Sequence, residues 1–342
     1  MVEELKPIKT KHTVVELFSG CGGLALGFEN AGLDTKLLVE VEEDCVNTLK
    51  MNRPHWNVLH NDIKTIDFSE YRDKIDVVAG GFPCQAFSYA GKGLGLDDTR
   101  GTLFFEFART VKEINPKIAL AENVRGLTTH DGGKTLKIMI DVMGNLGYNV
   151  TYKVLRAQFH QVPQKRERLF MVCTRKDLSL APLFPEELPN IPTLGEALRG
   201  CPDSDGYKYT GDKLEVMKQV PEGGNWRNLS TKMQKEYMKA NYYLGGGRTG
   251  IARRLSFDEP SLTIVTSPVM KQTERGHPVE DRPINIRESA RIQTFPDSWA
   301  FSGSISSVYK QIGNAVPVNL AYHVGKCIID MLERHKIGNT SI

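Results

Sequence analysis

Thr13-Val14-Val15-Glu16-Leu17-Phe18 runs directly into Ser19-Gly20-Cys21-Gly22-Gly23-Leu24-Ala25, and this junction decides the fold. The β-branched and apolar run predicts a buried strand, and the helical pattern that continues to Ala31 and Gly32 makes the glycines the turn between strand and helix. Gly20, Gly22 and Ala25 satisfy G-x-G-x-x-A, and Glu40 stands twenty residues beyond Gly20 at the end of a second strand, Thr35 to Val39. Strand, glycine turn, helix and strand-end carboxylate predict a nucleotide-cofactor site in a doubly wound α/β sheet. The motif does not choose the cofactor. A dinucleotide would set its pyrophosphate on the helix N-terminus, whereas S-adenosylmethionine needs close main-chain approach and a carboxylate for its ribose hydroxyls.

Further strands deliver polar residues to the same end of the sheet. A helix from Glu43 to Asn52 and a short strand from Trp56 to Leu59 lead to Asn61-Asp62-Ile63. Asp62 could accept from an adenine amino group with Ile63 packed on the ring, or make an ordinary Asx turn. The apolar run Ile75 to Ala79 feeds Gly80-Gly81-Phe82-Pro83-Cys84-Gln85-Ala86-Phe87-Ser88, which places Cys84 at a strand's carboxyl end, where open α/β sheets keep their chemistry. A thiolate is a strong nucleophile, Pro83 fixes the main chain ahead of it, and Gln85 adds an amide. Gly91, Gly93, Gly95 and Gly101 follow before a helix from Thr102 to Ile114, the composition of a lid, and Lys92 and Arg100 would face a polyanion. The next strand, Lys117 to Ala121, ends at Glu122-Asn123-Val124 and sets a carboxylate beside the strand that carries Cys84. Glu122 could hold a proton for a ring nitrogen, or cap a helix. Gly132-Gly133-Lys134-Thr135 imitates a phosphate loop but has Thr128 where that pattern needs its first glycine. Arg166 and Arg168 alternate as on a strand, which predicts both guanidinium groups on one face, toward a phosphate or substrate ring or along a solvated edge.

With 342 residues the chain exceeds the usual single core, so a large α/β domain with a smaller second domain is expected. Apolar residues make up 40% and charged residues 25%, and no apolar run approaches the roughly 20 residues of a membrane span. Met1-Val2-Glu3-Glu4-Leu5-Lys6 lacks the apolar core of a secretory signal, which predicts a cytoplasmic protein. The six cysteines form no C-x-x-C pair, so neither a metal site nor a disulfide framework is expected. A net charge of +3 permits a nucleic-acid partner without demanding one.

The texture changes near residue 180, where prolines recur and helix–strand alternation fades. Residues 226–254 carry seven Lys or Arg against one acid, interleaved with Trp226, Tyr237, Tyr242 and Tyr243, the mixture of a nucleic-acid surface or of a solvated basic face. Asn285 to Phe295 predicts a helix, and Gln311-Ile312-Gly313-Asn314-Ala315-Val316-Pro317-Val318-Asn319 is expected to open an amphipathic helix running to about Glu333 that docks on the sheet.

Taken in order, LFSGCGG, GGFPCQAFS, AENV, QKRER, RESARIQTFPD and QIGNAVPVN resemble the blocks of the DNA (cytosine-5) methyltransferase family of bacterial restriction-modification systems, across nearly the whole chain. The resemblance implies a Rossmann-like methyltransferase fold in three parts: residues 1–179 catalytic and cofactor-binding, 180–285 a smaller, irregular target-recognition domain, and 286–342 helices returning to the first part. It implies that Cys84 attacks C6 of a flipped cytosine, that Glu122 holds the N3 and N4 edge, and that Arg168, with Arg166 beside it, steadies the ring and its phosphate. Phe18, Gly20, Gly22, Gly23, Glu40, Asp62, Pro83 and Asn314 match the family's contacts to S-adenosylmethionine; Val41 and Ile63 would pack on the adenine. Gln85, Ser88, Asn123 and Arg100 would meet the DNA, with the loop 84–101 filling the place of the extruded base. Double-stranded DNA is the implied partner of a monomeric enzyme working near the nucleoid, and a separate cognate endonuclease is compatible with this reading. A nicotinamide oxidoreductase, a transfer-RNA methyltransferase and a non-catalytic DNA-binding regulator stay as alternatives, and the target sequence is not legible because base-contacting side chains cannot be placed.

Overall fold

The computed structural model describes residues 12–83, 103–244 and 247–340, the last four of these as main chain only. The chain divides into two units. One consists of the described residues up to Arg156, Glu167–Glu187 and the residues from Val318 onward; the other consists of Ala157–Arg166 and Leu188–Pro317.

In the first unit, β1 (Thr13–Leu17), α1 (Gly23–Ala31), β2 (Asp34–Glu40), α2 (Glu43–Asn52) and β3 (Val58–His60) wind in one direction, and β4 (Val77–Gly80), α3 (Leu103–Ile114) and β5 (Ile118–Val124) wind in the other. After α4 (Lys134–Asn145) the chain adds β6 (Tyr148–Arg156) and, beyond β7 (Gln164–Lys165) of the second unit, β8 (Glu167–Arg175). The strand order is β3-β2-β1-β4-β5-β8-β6. β1 to β5 pair in parallel, and β8 lies antiparallel between β5 and β6. The mostly parallel doubly wound sheet expected from the glycine turn is therefore present. Its β-branched and apolar strands are covered on both faces, as parallel strands must be. Val15, Leu17, Leu37, Val39, Val78, Ala119 and Ala121 share one core with Phe104, Phe107, Val111, Met139 and Met143 of α3 and α4.

The second unit contains β7 paired in parallel with β9 (Ser261–Leu262). Its helices are α5 (Leu194–Leu198), α6 (Gly211–Lys218), α7 (Thr231–Met238), α8 (Ile286–Ile292) and α9 (Ile305–Asn314). Tyr209, Met217, Trp226, Leu229, Met238 and Ile251 form a separate small core. The α8 N-terminus is a full capping box: the Asn285 side chain accepts from Glu288 N at 2.8 Å, and the Glu288 carboxylate accepts from Asn285 N at 2.7 Å.

The second unit takes Ala157–Arg166 and, after the chain returns to the first unit over Glu167–Glu187, runs from Leu188 to Pro317. One expectation of local structure changes. Gln311–Asn314 end α9 instead of opening the last helix, which is α10 (Val318–Thr340), because Pro317 has no N–H to continue a helical ladder. No described helix is long and apolar enough to cross a membrane.

α1 and α10 meet at small residues. A Cβ on Gly27 would lie 2.4 Å from Ala321 Cβ and 2.5 Å from Val318 O, and one on Gly325 would lie 2.8 Å from Ala31 Cβ. Gly27→Val should therefore force the helices apart, costing about 1–3 kcal/mol of stability through overpacking. Urea unfolding checks this, and an unchanged midpoint would contradict the close helix contact.

Candidate active site

The sheet reverses its winding between β1 and β4, and the residues singled out in the sequence gather at the carboxyl ends of β1, β2, β4 and β5. Phe18 takes φ +58°, and Gly20 and Gly22 take +54° and +89°, so the chain leaves β1 through three left-handed residues, two of them glycines for which this conformation is cheap. Gly22 is also the N-cap of α1. The Glu40 carboxylate at the end of β2 pins the turn: Oε2 accepts from Gly20 N at 2.7 Å, and Oε1 accepts from Val41 N at 2.7 Å and Glu42 N at 2.8 Å. An ionised carboxylate offers about four acceptor positions, so these bonds leave roughly one for a ligand.

Beside this pin, Glu16 on β1 is buried, and its carboxyl is held far above the ordinary range by burial first and by the Glu40 charge second. Val41 is 58% exposed, an open apolar face next to the turn. Asp62 is exposed and accepts from Lys64 N at 3.0 Å, the capping turn that was the plain alternative for it, while its other oxygen remains at the surface. Ile63 points into the core rather than to an open face, because its side chain joins the cluster containing Phe68. Phe18 meets the edge of Phe82 with ring centroids 6.5 Å apart, and Pro83 is exposed. Cys84, Gln85, Ser88 and Arg100 lie outside the described residues.

Glu122 and Arg168 form a shielded ion pair. β5 and β8 are antiparallel with Glu122 opposite Phe170 and Val124 opposite Arg168, so the two side chains are diagonal neighbours on one face. Arg168 Nε lies 3.0 Å from Glu122 Oε1, and the side chains are 14% and 11% exposed. Burial lowers the Arg168 pKa from its ordinary value while the Glu122 charge opposes that shift. Arg168 Nη1 also donates to the Glu167 carbonyl at 2.8 Å, which fixes the plane of its guanidinium. Gly81 makes room for the carboxylate: a Cβ there would stand 2.7 Å from Glu122 Oε2.

Three further residues singled out in the sequence are placed as follows. Asn123 is buried and donates to Phe82 O at 2.9 Å while accepting from Val124 N at 2.8 Å, so it ties the end of β5 to the segment that follows β4. Arg166 lies outside β8 and donates to the carbonyls of Ile264, Gly313 and Ala315, all in the second unit; it does not stand on one strand face with Arg168. Asn314 is exposed at the end of α9. Sequence reading missed Gly81 and Glu16 altogether. The doubled Gly80-Gly81 after an apolar run and a lone acid inside an apolar strand were the available signals.

The basic stretch of the second unit is also sorted by burial. Arg254 is internal, donating to the carbonyls of Met217, Val220, His277 and Glu280 and pairing with Asp281 at 2.6 Å. Arg227, Lys232, Lys235 and Lys239 are exposed on and around α7. Arg227 and Lys235 lie over the rings of Trp226 and Tyr242, and Tyr243 is 77% exposed.

The mostly parallel, doubly wound sheet, with a glycine turn after β1, a carboxylate at the end of β2 and a carboxylate–guanidinium pair between β5 and β8, is of the Rossmann-like class. Residues 12–330 match the model of the C-5 cytosine-specific DNA methylase family, and the chain belongs to that family. It is 54% identical to the type II methyltransferase M.Eco47II of Escherichia coli over 97% of this chain and 82% of that protein, and 48% identical to M.Sau96I of Staphylococcus aureus over 94% and 77%. Among solved structures, a DNA modification methyltransferase encoded within an E. coli prophage superposes with a TM-score of 0.69 at 26% identity, covering 94% of this chain and all of that one. Spodoptera frugiperda DNMT2 shares the fold at 19% identity, with a TM-score of 0.62 over 93% of this chain and all of its own.

The packing of Gly81 on Glu122 generates a direct test. Gly81→Ala should displace the carboxylate from Arg168 and reduce methyl transfer by on the order of 100-fold, the scale of a 1 Å misplacement in an active site. Transfer of tritiated methyl to DNA, with circular dichroism as the control for folding, measures the effect. Full activity would mean that the pair is not part of the chemistry.

Proposed function

We propose that this chain transfers a methyl group from S-adenosylmethionine to C5 of one cytosine in a specific duplex DNA sequence, as the methyltransferase of a type II restriction-modification system. The observation that carries the reading is the buried Glu122–Arg168 pair packed against Gly81, three residues ahead of Cys84. The names of its relatives at about half identity support the type II assignment.

The residues at the glycine turn fit this cofactor. A Cβ on Gly20 would meet nothing within 4 Å, so a ligand can reach the main chain there. Gly20 N is already taken by Glu40, and no Lys or Arg occurs from Phe18 to Ala25. A pyrophosphate would thus meet a carboxylate without a compensating cation, whereas a sulfonium compound carries the favourable sign. Glu40 would accept from the ribose, Val41 would cover the adenine, and Asp62 would accept from its amino group. Phe18, Gly22, Gly23 and Pro83 would shape the pocket, and the family motif makes Asn314 a further candidate. When bound, S-adenosylmethionine supplies an electrophilic methyl group.

Cytosine is a poor nucleophile at carbon, and the protein's task is to change that. The Cys84 thiolate would add to C6, the C5=C6 electrons become available at C5, and Glu122 would give a proton to N3 and accept from the N4 amino group as negative charge develops there. Arg168 holds that carboxylate in place. Once C5 is methylated, loss of its proton restores the double bond and expels the thiolate. The base must leave the duplex for this to happen, and Gln85, Ser88 and Arg100 are candidates to hold the opened strand.

Cys84→Ala should abolish methyl transfer while leaving DNA binding nearly intact, and DNA with 5-fluorocytosine at the target should trap a covalent complex, because fluorine cannot leave as a cation. Bisulfite sequencing of host DNA after expression of this chain identifies base and target together. Failure of active enzyme to form the covalent complex would sink the role of Cys84.

The exposed cations around α7 support target recognition by the second unit. Replacing Lys232, Lys235 and Lys239 by Ala should weaken binding to all sequences alike and flatten the salt dependence by about 2–3 in slope if each meets a phosphate. Filter binding across a salt series measures this, and an unchanged slope would exclude these lysines from the DNA surface.

A further inference from the structure

We propose that Glu16 is a proton store for the cofactor turn: it carries a proton in the free protein and gives it to solvent when S-adenosylmethionine binds, which couples cofactor affinity to pH. This rests on the reading above that the turn holds that cofactor.

Strand parity places Glu16 beside Glu40. Val15 and Leu17 of β1 and Leu37 and Val39 of β2 all face the core shared with α3 and α4, so Glu16 and Glu40 turn to the opposite face of the sheet. Glu16 is in register with Leu38 on β2 and Ala79 on β4, and Glu40 stands two residues beyond Leu38 on the neighbouring strand. Both register partners of Glu16 are apolar, and the residue is 2% exposed. Its Oε2 is buried and has no hydrogen-bond partner among the described residues.

A carboxylate oxygen that neither water nor a donor reaches is costly to leave charged, and taking up a proton removes that cost. Glu40 takes the other state, because three main-chain amides satisfy it as an anion. Its charge then opposes a second one on Glu16, in the same direction as burial does. Cys21 of the turn also lies within reach of the Glu40 charge, and burial above all pushes its thiol up, so it adds no negative charge. The neighbouring acids on β1 and β2 thus hold one negative charge between them.

A cation arriving at this turn changes the balance. Glu16 is already enclosed, so a ligand adds little further burial to it, and what the ligand brings is charge. The sulfonium of S-adenosylmethionine is permanently positive, and its field favours the ionised form of Glu16. The proton leaves to the buffer and the carboxylate stays behind. Below the pKa of Glu16 in the complex both forms of the protein hold the proton, and above its pKa in the free protein neither does. Between the two, binding releases the proton, and affinity rises with pH.

The test uses the full-length protein without DNA, titrated calorimetrically with S-adenosylmethionine between roughly pH 6 and pH 9 in buffers of low and high ionisation enthalpy, whose difference counts protons. A one-unit lowering of Glu16 releases about half a proton at the maximum and tightens binding about tenfold across the range. Glu16→Gln keeps the shape of the protonated acid and should abolish this release together with the tightening. Glu16→Met, which removes the ionisable group altogether, is the second variant should the first not fold. The amino group of the cofactor itself titrates, so the quantity that counts is wild type minus variant. With S-adenosylhomocysteine, which lacks the sulfonium charge, that difference should shrink. Equal release by wild type and variant overturns the proposal, and so does a difference of the same size with S-adenosylhomocysteine, because charge is then not its cause. A wild-type protein that does not bind S-adenosylmethionine overturns the cofactor reading and this inference with it, whereas binding without proton exchange at Glu16 overturns this inference alone.

Discussion

The constraint on which the site depends is the reversal of winding between β1 and β4. The chain that follows β1 leaves toward β2 and the chain that follows β4 leaves toward β5, so a crevice opens at two adjacent strand ends whose main-chain groups have no further strand to meet. The left-handed residues Phe18, Gly20 and Gly22 turn one strand away from it, and Gly81 to Pro83 carry the other past it. Glu40 and Glu122 come from the outer neighbours, β2 and β5, and reach those two exits from either side. Acidic groups serve opposite ends of one crevice because parallel strands all deliver their carboxyl ends to the same edge.

These carboxylates are held by different means. Glu40 is satisfied by three main-chain amides, the arrangement of an anion-binding nest, and its charge adds to the burial that pushes the Glu16 carboxyl upward. Glu122 has a guanidinium partner and little solvent. A buried ion pair is weak ground for stability, since desolvation offsets most of its attraction, so its retention at a strand end is better explained by geometry than by folding energy. Removing one partner alone would leave an uncompensated buried charge.

Much of this was legible in the chain. Strands, helices and the glycine turn follow from local periodicity, and the places of Glu40 and Glu122 at strand ends are visible where apolar runs stop. What stayed hidden depends on partners distant in sequence. Arg166 read as the twin of Arg168, yet its carbonyl acceptors come about a hundred and a hundred and fifty residues later. Arg254 read as surface charge, yet it is enclosed by four carbonyls. The bond from Asn123 to the Phe82 carbonyl likewise joins residues 41 apart in sequence. A guanidinium or amide gives no local sign of whether water or main chain will satisfy it, so side-chain type locates polarity but not its direction.

The glycine contact of α1 with α10 has a consequence for how the protein is made. α1 emerges long before the helix that covers Gly27, which begins only at Val318, after the whole second unit. At bacterial translation speeds of about 5–20 residues per second, that face waits roughly 15–60 s for its partner. The second unit is in effect an insertion in the folding sequence of the first, and each residue added to it lengthens the interval during which a nascent apolar helix stands uncovered. Selection on the length of this region therefore acts on folding yield in the cell.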